Sequence, residues 1–261
     1  LPLIPQLLQH VAEHDYAHSP AILIYYHAAH CLMGQGERHF EPLIALLQQH
    51  AAQFKQPEAR SMYGMAQNYC IRQINSGNGQ YMEALLGIYR SLLQSGIILE
   101  KGELSPWDFK NIVAVALRCN ETDWTLQFIQ TYSPRIAPEH RDNAISYNMA
   151  KYYYQVKQYG KVLELLQQVT YNDIFYNLDS KVTLLKTYYE LDEVDAMLGF
   201  MDTFGTFLRR QKQVSKFHRE SYLKLIKFVK KLATAPPGNK DRLNQLEQEI
   251  DQATGLPDKA W

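Results

Sequence analysis

The sequence has no long apolar run and few cysteines, and each absence excludes a class of protein. No stretch of about 18 consecutive apolar residues occurs, which excludes a membrane-spanning helix. The three cysteines, Cys31, Cys70 and Cys119, are odd in number and far apart within predicted helices, so a disulfide framework is not expected. Thiols of this kind act as small buried apolar residues and favour a reducing, cytoplasmic location. Because the sequence begins without methionine, we interpret it as part of a longer protein whose flanking regions can carry an export signal.

The sequence also lacks net charge, but the zero is the sum of two unlike parts. Residues 206–231 contain nine Lys or Arg and one Glu, whereas the rest of the chain has 18 basic and 26 acidic residues. Two interpretations stay open, a solvated outer face of a terminal helix or contact with nucleic-acid phosphates or an acidic protein. Aromatic residues that can stack on bases are few in this segment. The basic patch comprises Arg209, Arg210, Lys224, Lys227, Lys230 and Lys231.

Strand-like alternation is absent, and apolar residues repeat at every third or fourth position instead. The sequence therefore predicts an all-α protein of about thirteen helices. The short turns between them favour antiparallel neighbours that stack in sequence order. The clearest helix start is at Ser105 and Pro106, where Ser105 is predicted to cap the helix and Asp108 to be the reciprocal acid of a capping box.

Two predicted helix pairs between residues 138 and 204 share a packing pattern 35 residues apart. The pattern has a small residue on the first helix, an aromatic residue three positions further on, an aromatic residue near the turn and apolar residues on the second helix, and in the second pair Leu185 replaces the small residue. A small residue lets paired helices approach closely, and aromatic rings fill the wedge beside it. The positions are Ala150, Tyr153, Tyr159, Val162, Leu166 and Val169 in the first pair, and Leu185, Tyr188, Val194, Met197, Met201 and Phe204 in the second.

On these residues the chain resembles tetratricopeptide repeat proteins over roughly residues 20–211. The phrases LSPWDFKNIV, DWTLQFI, IFYNLD and LLKTYYELDE resemble in particular a bacterial family with such repeats. The resemblance implies an α–α superhelix, a tetratricopeptide-like solenoid at residues 1–211, followed by a basic amphipathic helix and a C-terminal capping helix at 212–261. It implies no particular activity.

The resemblance also implies which side chains of the first helices face a concave groove. Most of the 18 tyrosines are expected to be packing residues, but a few fall at groove positions. Tyrosine gives contact area at low entropic cost and lysine attracts acids, so the groove is predicted to bind an extended or helical peptide that carries acids. The groove residues are Tyr63, Gln67, Asp108, Asn111, Arg118, Tyr147, Lys151, Tyr154, Lys186 and Tyr189.

Patterns typical of catalysis or of metal and cofactor binding are missing. His10 and His14, and likewise His27 and His30, are spaced to place two imidazoles on one helix face, but no third ligand of matching spacing follows. No glycine-rich loop joins a strand to a helix, and no Ser, Cys or His has a recognisable nucleophile context. The sequence therefore predicts no metal, no cofactor and no enzymatic activity.

The function predicted from these observations is that of a non-catalytic interaction scaffold or adaptor. Its partner would be a protein or peptide bound in the groove. Two alternatives stay open, a nucleic-acid-associated factor that uses residues 206–231 and an enzyme whose site carries no recognisable motif. The sequence determines neither the partner nor the oligomeric state.

Overall fold

The computed structural model describes residues 3–167, 174–236 and 238–259, apart from the side chain of Phe175. Within these ranges the chain forms thirteen α-helices and no strand, which confirms the all-α prediction. Short 3-10 turns lie at Ala51–Gln53 and Ser133–Arg135. The helices are α1 Ile4–Glu13, α2 Pro20–Leu32, α3 Gly36–His50, α4 Gln56–Asn75, α5 Tyr81–Gln94, α6 Pro106–Arg118, α7 Thr122–Tyr132, α8 Pro138–Gln155, α9 Tyr159–Gln167, α10 Ile174–Glu190, α11 Val194–Arg210, α12 Lys216–Ala233 and α13 Lys240–Gln252.

The chain divides into two contact-dense units, Leu1–Ile145 and Ser146–Trp261, with the boundary inside α8. The predicted repeat array at 1–211 and capping region at 212–261 stay a prediction, since this division does not test them. In the described part of the chain, no helix is both long enough and apolar enough to cross a membrane.

In the first unit, consecutive helices pack in pairs: α2 with α3, α4 with α5, and α6 with α7. Further contacts join α2 to α4, α3 to α4 and α5 to α6. The pairing follows from the amphipathic pattern, because each helix buries an apolar stripe against its neighbour. The close approach of α3 to α4 requires glycine at Gly36, where an added Cβ would clash with the ring of Tyr69. Fully buried side chains of this core include Ile24, Leu43, Leu47, Met62, Phe109 and Ile112.

Arg60 braces the start of α6 against α4. Its guanidinium donates to the carbonyl of Ile98 at 3.0 Å and pairs with the Asp108 carboxylate at 2.6 Å. Ser105 caps α6 as predicted, accepting from the backbone N–H of Trp107 at 3.2 Å. The predicted role of Asp108 as the reciprocal acid of this cap is wrong, because its carboxylate is turned toward the nearby cation of Arg60.

The core of the second unit is built by α10, α11 and α12. It contains Leu178, Val182, Leu185, Met197, Met201, Phe204, Leu208, Val214, Leu225 and Val229. A smaller cluster joins Ala150 of α8 to Val162 and Leu166 of α9 and to Leu184 of α10. The small residue, Ala150, is fully buried as its packing role requires. Val169, which the sequence pattern places in this pair, lies outside the described residues.

Arg219 of α12 holds the end of α11. Its guanidinium donates to the carbonyls of Leu208, Gln211 and Val214 at 3.0, 3.2 and 3.1 Å. The last carbonyls of a helix have no intrahelical donor, so this contact satisfies groups that would otherwise need water. Arg219 is therefore a structural part of the basic segment.

Replacing Ile112 by alanine is expected to lower the free energy of unfolding by about 2–5 kcal/mol, because the fully buried side chain would leave a cavity. The matched control is Ile71→Ala on α4, where the side chain is 41% exposed and the expected loss is below about 1 kcal/mol. Urea unfolding followed by circular dichroism measures both. Equal losses for the two variants would contradict the described core.

Candidate ligand-binding surface

The groove residues predicted in the first unit differ widely in exposure. Tyr63 is only 3% exposed, and its hydroxyl donates to the carbonyl of Leu47 at 3.4 Å. Its prediction as a ligand contact is wrong, because the ring is part of the core. Asp108 is committed to Arg60, and burial raises the pKa of its carboxyl although Arg60 opposes the rise. Gln67 is half-buried, while Asn111 and Arg118 are exposed on α6.

In the second unit, Tyr147 and Lys151 of α8 converge on Asp179 of α10. The Tyr147 hydroxyl donates to the Asp179 carboxylate, and the Lys151 ammonium lies 3.4 Å from the same carboxylate. Lys151 also donates to the hydroxyl of Thr183 at 3.3 Å. Tyr147 is 2% exposed, so its predicted role as a ligand contact is wrong and its hydroxyl instead orients Asp179. Lys151 and Asp179 keep 28% and 34% of their side chains exposed.

The second predicted lysine, Lys186 of α10, lies in a more enclosed setting. Its ammonium is 3.2 Å from the Asp258 carboxylate and lies over the Tyr154 ring, 5.0 Å from the ring centroid. The side chain of Lys186 is only 14% exposed. A cation held between a carboxylate and an aromatic face is stabilised by both, and the effect strengthens as water is excluded.

Tyr154 connects this lysine to a third carboxylate. Its hydroxyl donates to Glu190 at 3.5 Å, and the hydroxyl of Tyr159 donates to the same carboxylate at 3.4 Å. Burial, followed by the charge of Glu190, raises the pKa of Tyr154 above its ordinary value of 10.0. Tyr189 of α10 is 39% exposed. The predicted residues Lys151, Tyr154 and Lys186 are thus brought onto one side of α8 and α10.

We call this set the lysine–carboxylate surface; it consists of Lys151, Tyr154, Asp179, Lys186, Glu190 and Asp258. It holds two ammonium groups and three carboxylates, so its own charges are not the net positive groove that the two lysines suggested. Tyr222 of α12 lies close by, and burial together with Asp179 and Asp258 raises the pKa of Tyr222 to about 12. Each of its two lysines is already paired with a carboxylate of the chain itself.

The three carboxylates were not among the predicted site residues. Two of them had a signal in the sequence: Asp179, Thr183, Lys186 and Glu190 follow one another at spacings of four, three and four residues. Those spacings place the four side chains on one face of α10. Asp258 had no such signal, because 72 residues separate it from Lys186.

The basic patch is divided between α11 and α12 and is partly neutralised. Arg209 and Arg210 are exposed at the end of α11, and Lys224, Lys227 and Lys230 are exposed on α12. Lys231 pairs with the Glu249 carboxylate of α13, whose pKa is lowered first by the hydrogen bond from Lys231. Lys224 donates to the carbonyl of Thr254 at 3.4 Å. Helix α13 therefore supplies one acid, Glu249, to the basic patch.

Three imidazoles meet where α2 packs on α3. The Nδ1 atoms of His27 and His39 are 2.9 Å apart, and the His30 and His39 rings are stacked with centroids 4.0 Å apart. Burial, then the charges of His39 and His30, lower the pKa of His27. Burial, then His30 and Arg38, lower the pKa of His39. Sequence spacing identified His27 and His30, whereas His39 joins them only because the α2–α3 turn brings it back.

This cluster is not a metal centre. Across residues 3–167, 174–236 and 238–259, no group of three or more His, Cys, Asp or Glu side chains has an arrangement that could hold a metal ion. The cysteines Cys31 and Cys70 are buried free thiols, and burial raises the pKa of Cys31 to about 11 and that of Cys70 to about 12. Thiols with raised pKa values are poor nucleophiles at neutral pH.

Comparison with known proteins does not extend this description. No protein-family model, no curated protein and no solved structure matches the chain. The resemblance to tetratricopeptide repeats stays an interpretation of the packing positions.

We expect the stability of the first unit to fall as the pH falls below 6.5, the ordinary pKa of histidine. In the folded protein the pKa values of His27 and His39 are lowered, so the unfolded chain binds more protons in this range and is favoured by acid. The contribution of His27 and His39 to stability is present above pH 6.5 and is lost as the pH falls through their lowered pKa values in the folded protein. Urea unfolding monitored by tryptophan fluorescence at several pH values measures it.

The variant His39→Gln is expected to reduce this pH dependence, because it removes one ring of the cluster. His140→Gln, at an exposed position of α8, is the matched control and should leave the dependence as it is in the wild type. An unfolding midpoint in His39→Gln with the same acid dependence as the wild type would contradict the role of the cluster.

Proposed function

We propose that this protein is a non-catalytic, tetratricopeptide-like interaction scaffold that binds an extended peptide segment on the lysine–carboxylate surface. The observation that carries the proposal is the pair of lysines 35 residues apart, Lys151 and Lys186, each holding a carboxylate contributed by another segment. Equivalent positions on α8 and α10 thus present cations to carboxylates in the same way. Buried packing positions such as Ala150 and Phe204 support the repeat interpretation.

The chemistry of the surface limits the ligand. Lys186 is enclosed and needs a carboxylate partner, whereas Asp179 is already shared by Tyr147 and Lys151. One ligand carboxylate can take the place of Asp258 beside Lys186, whereas a second would meet the negative charges of Asp179 and Glu190. We infer a ligand of mixed character, with one acid at a fixed position and apolar or tyrosine-compatible side chains around it.

Two features support a scaffold rather than an enzyme. The hydroxyls of Tyr154 and of its neighbours Tyr147 and Tyr159 are bound to carboxylates of the surface. Burial raises the pKa of Tyr154, which keeps it a neutral hydrogen-bond donor and not a base at neutral pH. We propose a cytoplasmic location on the three cysteines, which are all free thiols as a reducing compartment would keep them.

The variant Lys186→Glu is expected to weaken binding of a selected peptide by about ten-fold or more, because it places two like charges together where a charge-assisted hydrogen bond stood. The peptide comes from selection of a random library on the wild-type protein, and fluorescence anisotropy measures its affinity. Replacing the peptide's acid by its amide should cause a similar loss. Circular dichroism verifies that the variant is folded.

Lys157→Glu is the matched control, because Lys157 is exposed in the turn that follows α8. It should change the affinity by less than about two-fold. Selected peptides that bind Lys186→Glu as tightly as the wild type would overturn the assignment of the ligand to this surface.

The alternative function, nucleic-acid binding by the basic patch, has less support from the structure. Its charge is reduced by Glu249, and Arg219 is occupied by backbone carbonyls. We expect no stable complex with single- or double-stranded DNA or RNA oligonucleotides at about 150 mM salt in gel-shift assays. A complex at that salt whose affinity falls steeply with added salt, and which Lys227→Glu with Lys230→Glu removes, would instead favour the nucleic-acid function.

A further inference from the structure

The segment that follows α13 returns to the lysine–carboxylate surface. Its backbone is first held at Thr254, whose carbonyl accepts from Lys224 of α12 at 3.4 Å. Gly255 then passes close to α12, where an added Cβ would lie 3.3 Å from the Phe217 ring. Leu256 packs against the core cluster of the second unit. Asp258 finally places its carboxylate 3.2 Å from the Lys186 ammonium.

The segment is held by few contacts. Thr254, Gly255, Asp258 and Lys259 are exposed, and only Leu256 among its apolar side chains reaches the core cluster. The Asp258 side chain keeps 43% of its surface exposed. Segments with little buried apolar surface and exposed hydrogen bonds open at low free-energy cost. Asp258 also has a φ of 51°, a left-handed conformation that is uncommon for residues other than glycine.

Lys186, unlike the exposed segment, is largely buried. With 14% of its side chain exposed, it cannot recover full hydration while α8 and α10 keep their positions. Loss of Asp258 would leave an ammonium that is largely desolvated and has lost a charge partner. A second carboxylate that arrives from another molecule can replace Asp258 without that penalty. Replacing the Asp258 carboxylate by another carboxylate therefore costs less free energy than removing it.

We propose that residues 254–259 are an internal competitor for the ligand of the lysine–carboxylate surface. Asp258 takes the position of the ligand's acid beside Lys186, and Leu256 takes that of an apolar residue two positions before it. The inference rests on the proposed function and makes it more specific. The ligand is a peptide with the pattern apolar residue, any residue, acid, and it binds when the segment leaves.

The test uses the full chain with Asp258→Asn, which removes the competing charge and leaves Lys186 in place. The probe is a synthetic peptide of residues 253–259, ATGLPDK, with ATGLPNK as its neutral counterpart. ATGLPDK is expected to bind the variant about three-fold or more tightly than the wild type, because the competent state is more populated. ATGLPNK should bind both proteins more weakly than ATGLPDK.

Release of the segment is measured separately by heteronuclear nuclear Overhauser effects at the amides of Gly255 and Asp258 or its replacement. These values should fall in Asp258→Asn, which reports faster motion on the picosecond to nanosecond scale. Glu247→Gln, which neutralises an exposed acid of α13, is the control and should change neither the motion nor the peptide affinity.

Two outcomes overturn the inference in distinguishable ways. If library-selected peptides bind the wild type and Asp258→Asn with equal affinity, internal competition is excluded while the proposed ligand surface stands. If neither ATGLPDK nor any library-selected peptide binds either protein, the proposed function fails and the competition fails with it.

Discussion

An amphipathic helix in water is stabilised by burying its apolar face, and the architecture from α2 onward depends on that constraint. Every helix from α2 to α13 buries at least one side chain, and the helices that pack together are mostly neighbours along the chain, whereas α1 has no buried residue. The helix faces turned away from the core can therefore carry charge, and α10 does so with Asp179, Lys186 and Glu190.

The free-energy cost of removing charged groups from water limits how many charges such a face can hold without partners. An ammonium that is mostly removed from water needs a carboxylate or an aromatic ring near it, and Lys186 has both. The same requirement explains why Tyr147 and Tyr154 donate to Asp179 and Glu190, since a buried hydroxyl without a partner is also costly. The surface is consequently a network in which each group restricts the orientation of the next. A ligand therefore has to complement the positions of its hydrogen-bonding groups as well as its charges.

Helical periodicity predicted the helices well because the apolar stripe is a local property of the sequence. It located Ala150, Val162 and Phe204 in the core, where they are buried. It could not separate a tyrosine that faces a ligand from one that fills the core, since both lie on the inner side of a helix. Tyr63 and Tyr147 were misassigned for this reason. Contacts between distant segments had no local signal at all, as with Asp258 and Lys186.

The hydrogen bond between His27 and His39 makes two rings of the same residue type chemically different. Both rings are joined through Nδ1, so a single hydrogen lies between two nitrogens of the same kind. In neutral rings, the one that donates carries its hydrogen on Nδ1 and keeps a lone pair on Nε2, while the one that accepts carries its hydrogen on Nε2. The pair is thus an obligate combination of opposite tautomers. Toward its surroundings the neutral pair therefore presents an acceptor on the ring that donates between them and a donor on the ring that accepts.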